Sequence, residues 1–224
     1  MTELLDKSLS LYDQIYEILR ERIINLKYRP GSFITEASVA EELNTSRMPV
    51  RAAIRKLENE GWLVADFRKK IKVKEVTAKD VEEIYQLREI LETTAFRTIF
   101  EQNQTWEYSF RLEEIVVRIR AAQFDSYLWE YRDTEFHMEI VKALNSERVN
   151  RIYKNNQDEL VRIGLFSEKP QTHVQEIING LYEFVGFMRE KDYDRAYSIL
   201  YNKHIIAGRD MALTKIREMN APAK

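Results

Sequence analysis

Cysteine is absent from this chain of 224 residues. There are therefore no disulfides, no thiolate nucleophile and no Cys-containing zinc site, and the chain suits a reducing compartment. Glycine and proline are scarce, at six and four residues, so mostly regular structure with short connections is expected. No apolar run approaches the about 18 residues of a membrane span. The opening MTELLDKSLS lacks the basic-then-apolar order of a secretory signal. These absences lead to the expectation of a soluble, cytoplasmic protein with no membrane partner. Catalytic signatures are also missing: there is no HExxH, no glycine-rich phosphate loop and no adjacent nucleophile–base set, and only three histidines.

An excess of charge of one sign is lacking too, since 35 Lys+Arg oppose 37 Asp+Glu for a net −2. The placement of those charges is more informative than their sum. Residues 45–74 hold nine basic side chains and three acidic ones, a local +6 that leaves −8 on the remainder. A basic segment on an acidic body points to a polyanion contact at one end of the molecule. A solvated, Lys-rich surface is the plain alternative.

The chain length suits one large domain or two small ones. Leu11, Ile15, Leu19, Ile23 and Leu26 repeat at helical spacing and stop at Arg29-Pro30-Gly31, where proline cannot continue a helix. Thr35 is placed to cap a short second helix with Val39, Ala40 and Leu43 on its apolar face. After Asn44-Thr45, Ser46 is placed to cap a third, with Pro49 in its first turn, Val50, Ile54 and Leu57 inward, and Gly61 at its end. The period then changes. Trp62-Leu63-Val64 and the alternating Ile71-Lys72-Val73-Lys74 read as two strands around a polar tip at 66–70. From Thr77 the pattern is helical throughout, with helices expected at about 79–103, 106–122, 126–144, 147–165, 173–190 and 193–218. The fold class is therefore mainly α. A winged helix-turn-helix domain spans 1–76, and an all-α bundle of about six helices spans 77–224.

Arg47, Arg51 and Arg55 recur every fourth residue on the outer face of the third helix. Guanidiniums there can reach phosphates or guanine edges in a major groove, while Thr45, Ser46 and first-turn backbone N–H groups suit phosphate anchoring. Arg68, Lys69 and Lys70 at the strand tip would follow the backbone or enter the minor groove. Lys56 is more simply a solubilising residue. Further along, Asp133 and His137 lie one helical turn apart, so a carboxylate and an imidazole project from one face and can share a divalent metal. A metal-free side-chain pair is the alternative.

Residues 30–64, PGSFITEASVAEELNTSRMPVRAAIRKLENEGWLV, resemble the DNA-binding domain of the GntR family of bacterial regulators. The likeness rests on Pro30-Gly31, Glu36, the run Ser46-Arg47-Met48-Pro49-Val50-Arg51, and Leu57-Glu58 with Gly61. It implies principal DNA contacts at Arg47 and Arg51, supported by Ser46 and Pro49. One departure is the tip Arg68-Lys69-Lys70, where family members usually place a glycine. The remainder resembles the all-helical, FCD-like effector domain of the FadR-type subgroup, through Leu87-Arg88, Leu91-Glu92 and the stretch Asp133-Thr134-Glu135-Phe136-His137.

That second resemblance implies a homodimeric transcriptional regulator, a repressor, binding palindromic double-stranded operator DNA under control of a small-molecule effector. An organic acid fits, because an arginine fork matches a carboxylate. Arg88 stands where the subgroup often faces its pocket, and Arg162 is a second candidate, although Arg88 could simply pair with Glu92. Many members complete a zinc or nickel site with two later histidines. Here His204 is the one plausible partner, one residue out of step with the family spacing from Asp192 and Ala196. Asn179-Gly180-Leu181-Tyr182 stands where the earlier histidine would be, and His173 lies too far upstream. The competing class is a metal-dependent helical-bundle hydrolase using Asp133, His137 and His204 with an appended nucleic-acid-targeting domain. An architectural DNA-binding protein without an effector would leave two-thirds of the chain without a role.

Overall fold

Proline at 30 and glycine at 31 do what their chemistry dictates: helix α1 (Leu11–Ile24) has ended, and Gly31 turns the chain at φ +78°. The computed structural model describes residues 10–65 and 70–220. They fall into two compact units, 1–76 and 77–224.

In the first unit the chain leaves Gly31 into strand β1 (Phe33–Ile34), then α2 (Glu36–Glu42) and α3 (Arg47–Asn59), and closes with β2 (Leu63–Ala65) and β3 (Ile71–Val73). Thr35 caps α2 by accepting from the Ser38 backbone N–H, and Ser38 returns the bond to the Thr35 N–H. Gly61, at φ +81°, ends the third helix in a conformation that would strain a side chain. The three strands form an antiparallel sheet in the order β1-β3-β2, with Phe33 opposite Lys72 and Leu63 opposite Val73. Strand β1 has no counterpart in the sequence pattern; at two residues it is defined by its partner and carries no period of its own. Ile15, Leu19, Ile23, Val50, Ala53, Ile54, Leu57, Leu63 and Val73 form one buried core. A helix-turn-helix with a two-stranded wing is thereby assembled.

The second unit is helical: α4 (Ala78–Glu101), α5 (Thr105–Ala121), α6 (Ser126–Val141), α7 (Glu147–Asn155), α8 (Gln157–Phe166), α9 (Gln171–Glu190), α10 (Tyr193–Ser198) and α11 (Ala207–Asn220). A 3₁₀ turn, Lys142–Leu144, comes after α6, and Asn145 ends it in the left-handed region. The single helix expected at 147–165 is two, because Asn156 ends α7 and its side-chain amide bonds back to the Ile152 carbonyl at 2.8 Å. The helix expected at 193–218 is also interrupted: Ile199–Ile206 is a π-helical stretch. Phe96, Phe136 and Phe184 meet at the centre, with ring centroids 5.7 Å apart for Phe96–Phe184 and 5.6 Å for Phe136–Phe184. Among the described residues no helix is long and apolar enough to cross a membrane.

Candidate functional site

Two places gather the residues singled out by the sequence, one in each unit. In the first unit, the burial of Val50, Ala53, Ile54 and Leu57 turns the opposite face of α3 outward, so Arg47, Arg51 and Arg55 are all exposed. Ser46 is the N-cap residue but makes no side-chain capping bond, so its hydroxyl is not committed to the helix. Thr45 and Ser46 are exposed or half-buried at this tip, and Pro49 is half-buried beside them. Met48, which carries no charge or period to single it out, is a large exposed apolar side chain at the same tip, the type that packs on a thymine methyl.

Arg51 is engaged: its Nε and Nη2 donate to the two Glu36 carboxylate oxygens, both at 2.8 Å. The hydrogen bond from Arg51 holds the Glu36 carboxyl below its usual range and raises the guanidinium in turn. Lys56 places its ammonium 3.5 Å from the Tyr16 ring centroid, a packing role rather than a groove contact. Lys70 is exposed at the start of the returning strand. Arg68 and Lys69 lie outside the described residues.

In the second unit, Asp133 and His137 stand one turn apart on α6, and His204 joins them from the π-helical stretch, their candidate ligand atoms all within 4.8 Å of one another. The π geometry explains the register problem in the sequence. One added residue per turn rotates the chain beyond it, so a histidine one position late in an α-helical count still reaches the cluster. His137 Nε2 is 3.7 Å from Asp133 Oδ2, and its Nδ1 lies 2.7 Å from Glu92 Oε2.

Glu92 is the hub of this site. It is fully buried, and it accepts from Arg88 Nε at 2.7 Å and from the Tyr153 hydroxyl at 2.9 Å as well as from His137. Burial alone would raise its carboxyl, but the charges of Arg88 and His137 and their hydrogen bonds outweigh it and hold the group ionised. An ionised carboxylate only accepts, so His137 Nδ1 carries the proton that it donates, and Nε2 faces the cluster. His137 Nε2 and Asp133 Oδ1 are both buried without a hydrogen-bond partner. Burial and the neighbouring His137 push the His204 imidazole down to about 3, which leaves it neutral. Two imidazoles and a carboxylate, with a carboxylate orienting one ring from behind, fit a divalent cation with open positions.

Arg88 lines the cavity, but its fork is already filled by Glu92. Arg162 does not belong to this site. It is buried on α8 and does not line the cavity at the cluster; its charge neighbours are Glu159 and Asp80, and burial pushes it down to about 10. Leu181, at the position of the missing histidine, is fully buried in the apolar core, and Gly180 lines the approach instead.

The cavity around the cluster is small, about 40 Å³, and a groove of about 460 Å³ adjoins it, sharing His173, Ile177, Lys203 and His204. The cavity wall also holds a buried Lys169–Glu130 pair. Burial lifts the Glu130 carboxyl to about 7, against the pull of Lys169. Its carboxylate packs on the backbone of Gly164, where any Cβ would collide with it. Two sequence signals touch Glu92, its spacing one turn after Arg88 and its place in the Leu91-Glu92 likeness, but neither marks it as the hub; Tyr153, Glu130 and Lys169 give none.

Comparison with known proteins matches both units. Residues 11–73 match the family model "Bacterial regulatory proteins, gntR family", and residues 83–205 match the FCD domain. An uncharacterized HTH-type transcriptional regulator of Bacillus subtilis (strain 168), YdhC, is 31% identical over 157 residues, covering 69% of this chain and 70% of that one. The gluconate operon transcriptional repressor of the same organism is 29% identical over 140 residues, 61% of this chain and 56% of the repressor. Among solved structures, a GntR transcriptional regulator from Rhodococcus sp. RHA1 aligns with a TM-score of 0.72 at 19% identity, covering 92% of this chain and 99% of that one. E. coli McbR/YncC aligns at 0.65 and 20% identity, covering 95% and 100%. At those identities the structural likeness speaks for the fold.

Proposed function

Since the chain belongs to the GntR family of bacterial regulators and carries an FCD domain, and is thus a transcriptional regulator, we propose that it is a homodimeric, cytoplasmic repressor whose operator affinity is set by an organic-acid effector bound beside a divalent metal. Arg47 with Ser46, Thr45 and Pro49 makes the specific contact, and Arg51 joins it when its fork leaves Glu36 for a phosphate or a guanine edge. Lys70, with Arg68 and Lys69, adds the sequence-independent phosphate contacts. In the helical unit Asp133, His137 and His204 hold the ion. Glu92 fixes the His137 ring and its tautomer, and Arg88 and Tyr153 hold Glu92 in turn. A bound zinc or nickel ion supplies a Lewis-acidic anchor for an effector carboxylate. Arg88 has a structural part here rather than gripping the effector itself. A switch requires the effector to bind the DNA-competent and the DNA-free forms with different affinity.

The observation that carries this reading is His137 Nε2, buried, without a hydrogen-bond partner and turned by the Glu92 contact toward Asp133 and His204. The test is metal analysis of the purified chain together with titration of a palindromic operator fragment. Stoichiometric metal, lost in His137→Ala and His204→Ala, and operator binding that weakens with rising salt are expected. A metal-free protein whose operator affinity ignores chelators would refute the metal part, and unchanged binding in Arg47→Ala would refute the DNA contact. The hydrolase reading has no support among the relatives, which are regulators.

A further inference from the structure

Helix α7 has two unlike faces. Inward, Tyr153 is buried and its hydroxyl donates to Glu92 at 2.9 Å, which ties the helix to the carboxylate that orients His137. Outward, Arg148, Arg151 and Asn155 follow at intervals of three and four residues and are all exposed, so they line the side opposite Tyr153. Lys154 is exposed at the edge of that face. Residues 148–154 hold three cations and no carboxylate, on a helical unit whose 21 basic and 25 acidic side chains leave it at −4. Nearby surface cations are answered within the unit: Lys142 pairs with Glu139 and Arg132 with Glu135, each at 2.7 Å. The three on α7 have no ion pair among the described residues, not even Arg151 with Glu147 one turn before it.

Solubility alone is served as well by mixed signs. Here Arg148 and Arg151, and Arg151 and Lys154, are like charges three residues apart, a repulsion within the helix that a polyanion relieves. Of α7, Tyr153 alone lines the cavity and no residue lines the adjoining groove, so neither opens on the outer face to seat an acidic peptide. Exposed guanidiniums with an amide beside them suit phosphate oxygens. From residue 148 to 155 the helix rises about 10.5 Å, about the axial rise of three phosphates along one strand of a duplex. We propose that the outer face of α7 is a second contact with double-stranded DNA, outside the winged helix, where Arg148, Arg151 and Lys154 bind backbone phosphates without reading sequence. This rests on the DNA-binding reading above and adds a surface of the helical unit to it. One helix then bears on DNA with one face and, through Tyr153, on the framing of the ligand cluster with the other.

The test is binding of the full chain to a random-sequence DNA duplex, followed by fluorescence anisotropy across a salt series, because the salt slope counts the phosphates neutralised. Arg148→Gln and Arg151→Gln should each lower the slope by about 1, and the double variant by about 2, with helical circular dichroism unchanged. Arg217→Gln, at an exposed cation on α11, should keep the wild-type slope. An unchanged slope in the double variant, as a solvated face or an acidic protein partner would give, overturns the proposal. An equal fall in Arg217→Gln assigns the effect to net charge and overturns it too. A slope that falls in Arg47→Ala but not in the α7 variants removes this surface and leaves the recognition helix standing, whereas a chain that binds no duplex at all removes both.

Discussion

The two units each contain an arginine forked onto a glutamate, and the same chemistry has opposite consequences. Arg51 and Glu36 lie on the surface, with side chains 47% and 28% exposed, whereas Arg88 and Glu92 are 7% and 0% exposed. The surface pair contributes little, since water and salt compete for both partners. It can be exchanged for a phosphate with little loss. The buried pair cannot be exchanged. Desolvation makes each partner depend on the other, and Glu92 also serves His137 and Tyr153. One pair is a guard over a reading head; the other is framing for a ligand cluster.

The strongest way to break that contrast is Glu92→Ala. It strands the Arg88 charge and removes the acceptor of His137, so urea unfolding should show a loss of about 3–5 kcal/mol. A loss under about 1 kcal/mol would mean the pair is no more than a surface bridge. The Lys169–Glu130 pair sharpens the comparison, because there burial wins over the cation. Glu130 titrates near 7 in the folded chain against an ordinary value of 4.5. The folded state thus holds a proton that the unfolded state has released. Its contribution is present below about pH 4.5, falls by up to about 3 kcal/mol as pH rises to about 7, and is flat above. Unfolding measured across that window in wild type and Glu130→Gln should differ by this slope, and parallel curves would remove Glu130 from the buried set.

On the surface side, Arg47→Ala should cost about 1–3 kcal/mol at a specific operator while changing stability by less than about 0.5 kcal/mol. A stability loss larger than the binding loss would show that the side chain packs rather than reads. The smallest effect belongs to Glu36→Gln. Stability should move by less than about 1 kcal/mol, and nonspecific DNA binding should tighten with a steeper salt dependence as Arg51 is released. Unchanged salt dependence would mean that Arg51 stays away from phosphates even when free.

Legibility in the sequence tracks the range of the interactions involved. The third helix, its Ser46 start, its Gly61 stop and the outward Arg47 are fixed within a few residues of chain, and local pattern reads them. Asp133 and His137 are legible for the same reason, being one turn apart. The hub at Glu92 is not, since its partners His137 and Tyr153 are 45 and 61 residues away. The helix expected over 147–165 is misread as continuous because Asn156, which is neither glycine nor proline, ends its first half. Strand β1 escapes because two residues have no period. In the basic strip of 45–74 it is charge placement, not net charge, that indicates where a polyanion would sit, and Arg51 shows that a residue in that strip can still be guarded by a carboxylate one helix away.

The π-helical stretch at Ile199–Ile206 makes the C-terminal segment behave like a dial. Each residue inserted into or removed from a helix turns everything beyond it by about 100° and moves it about 1.5 Å along the axis. A letter-by-letter comparison counts such an insertion as a lost ligand, yet in three dimensions it is a phase change that the wider turn absorbs. Deleting one residue between Ser198 and Lys203 would leave every side chain of the cluster in the sequence and still swing His204 away from Asp133 and His137. Loss of a binding centre by rotation alone is a failure that no inventory of residues detects.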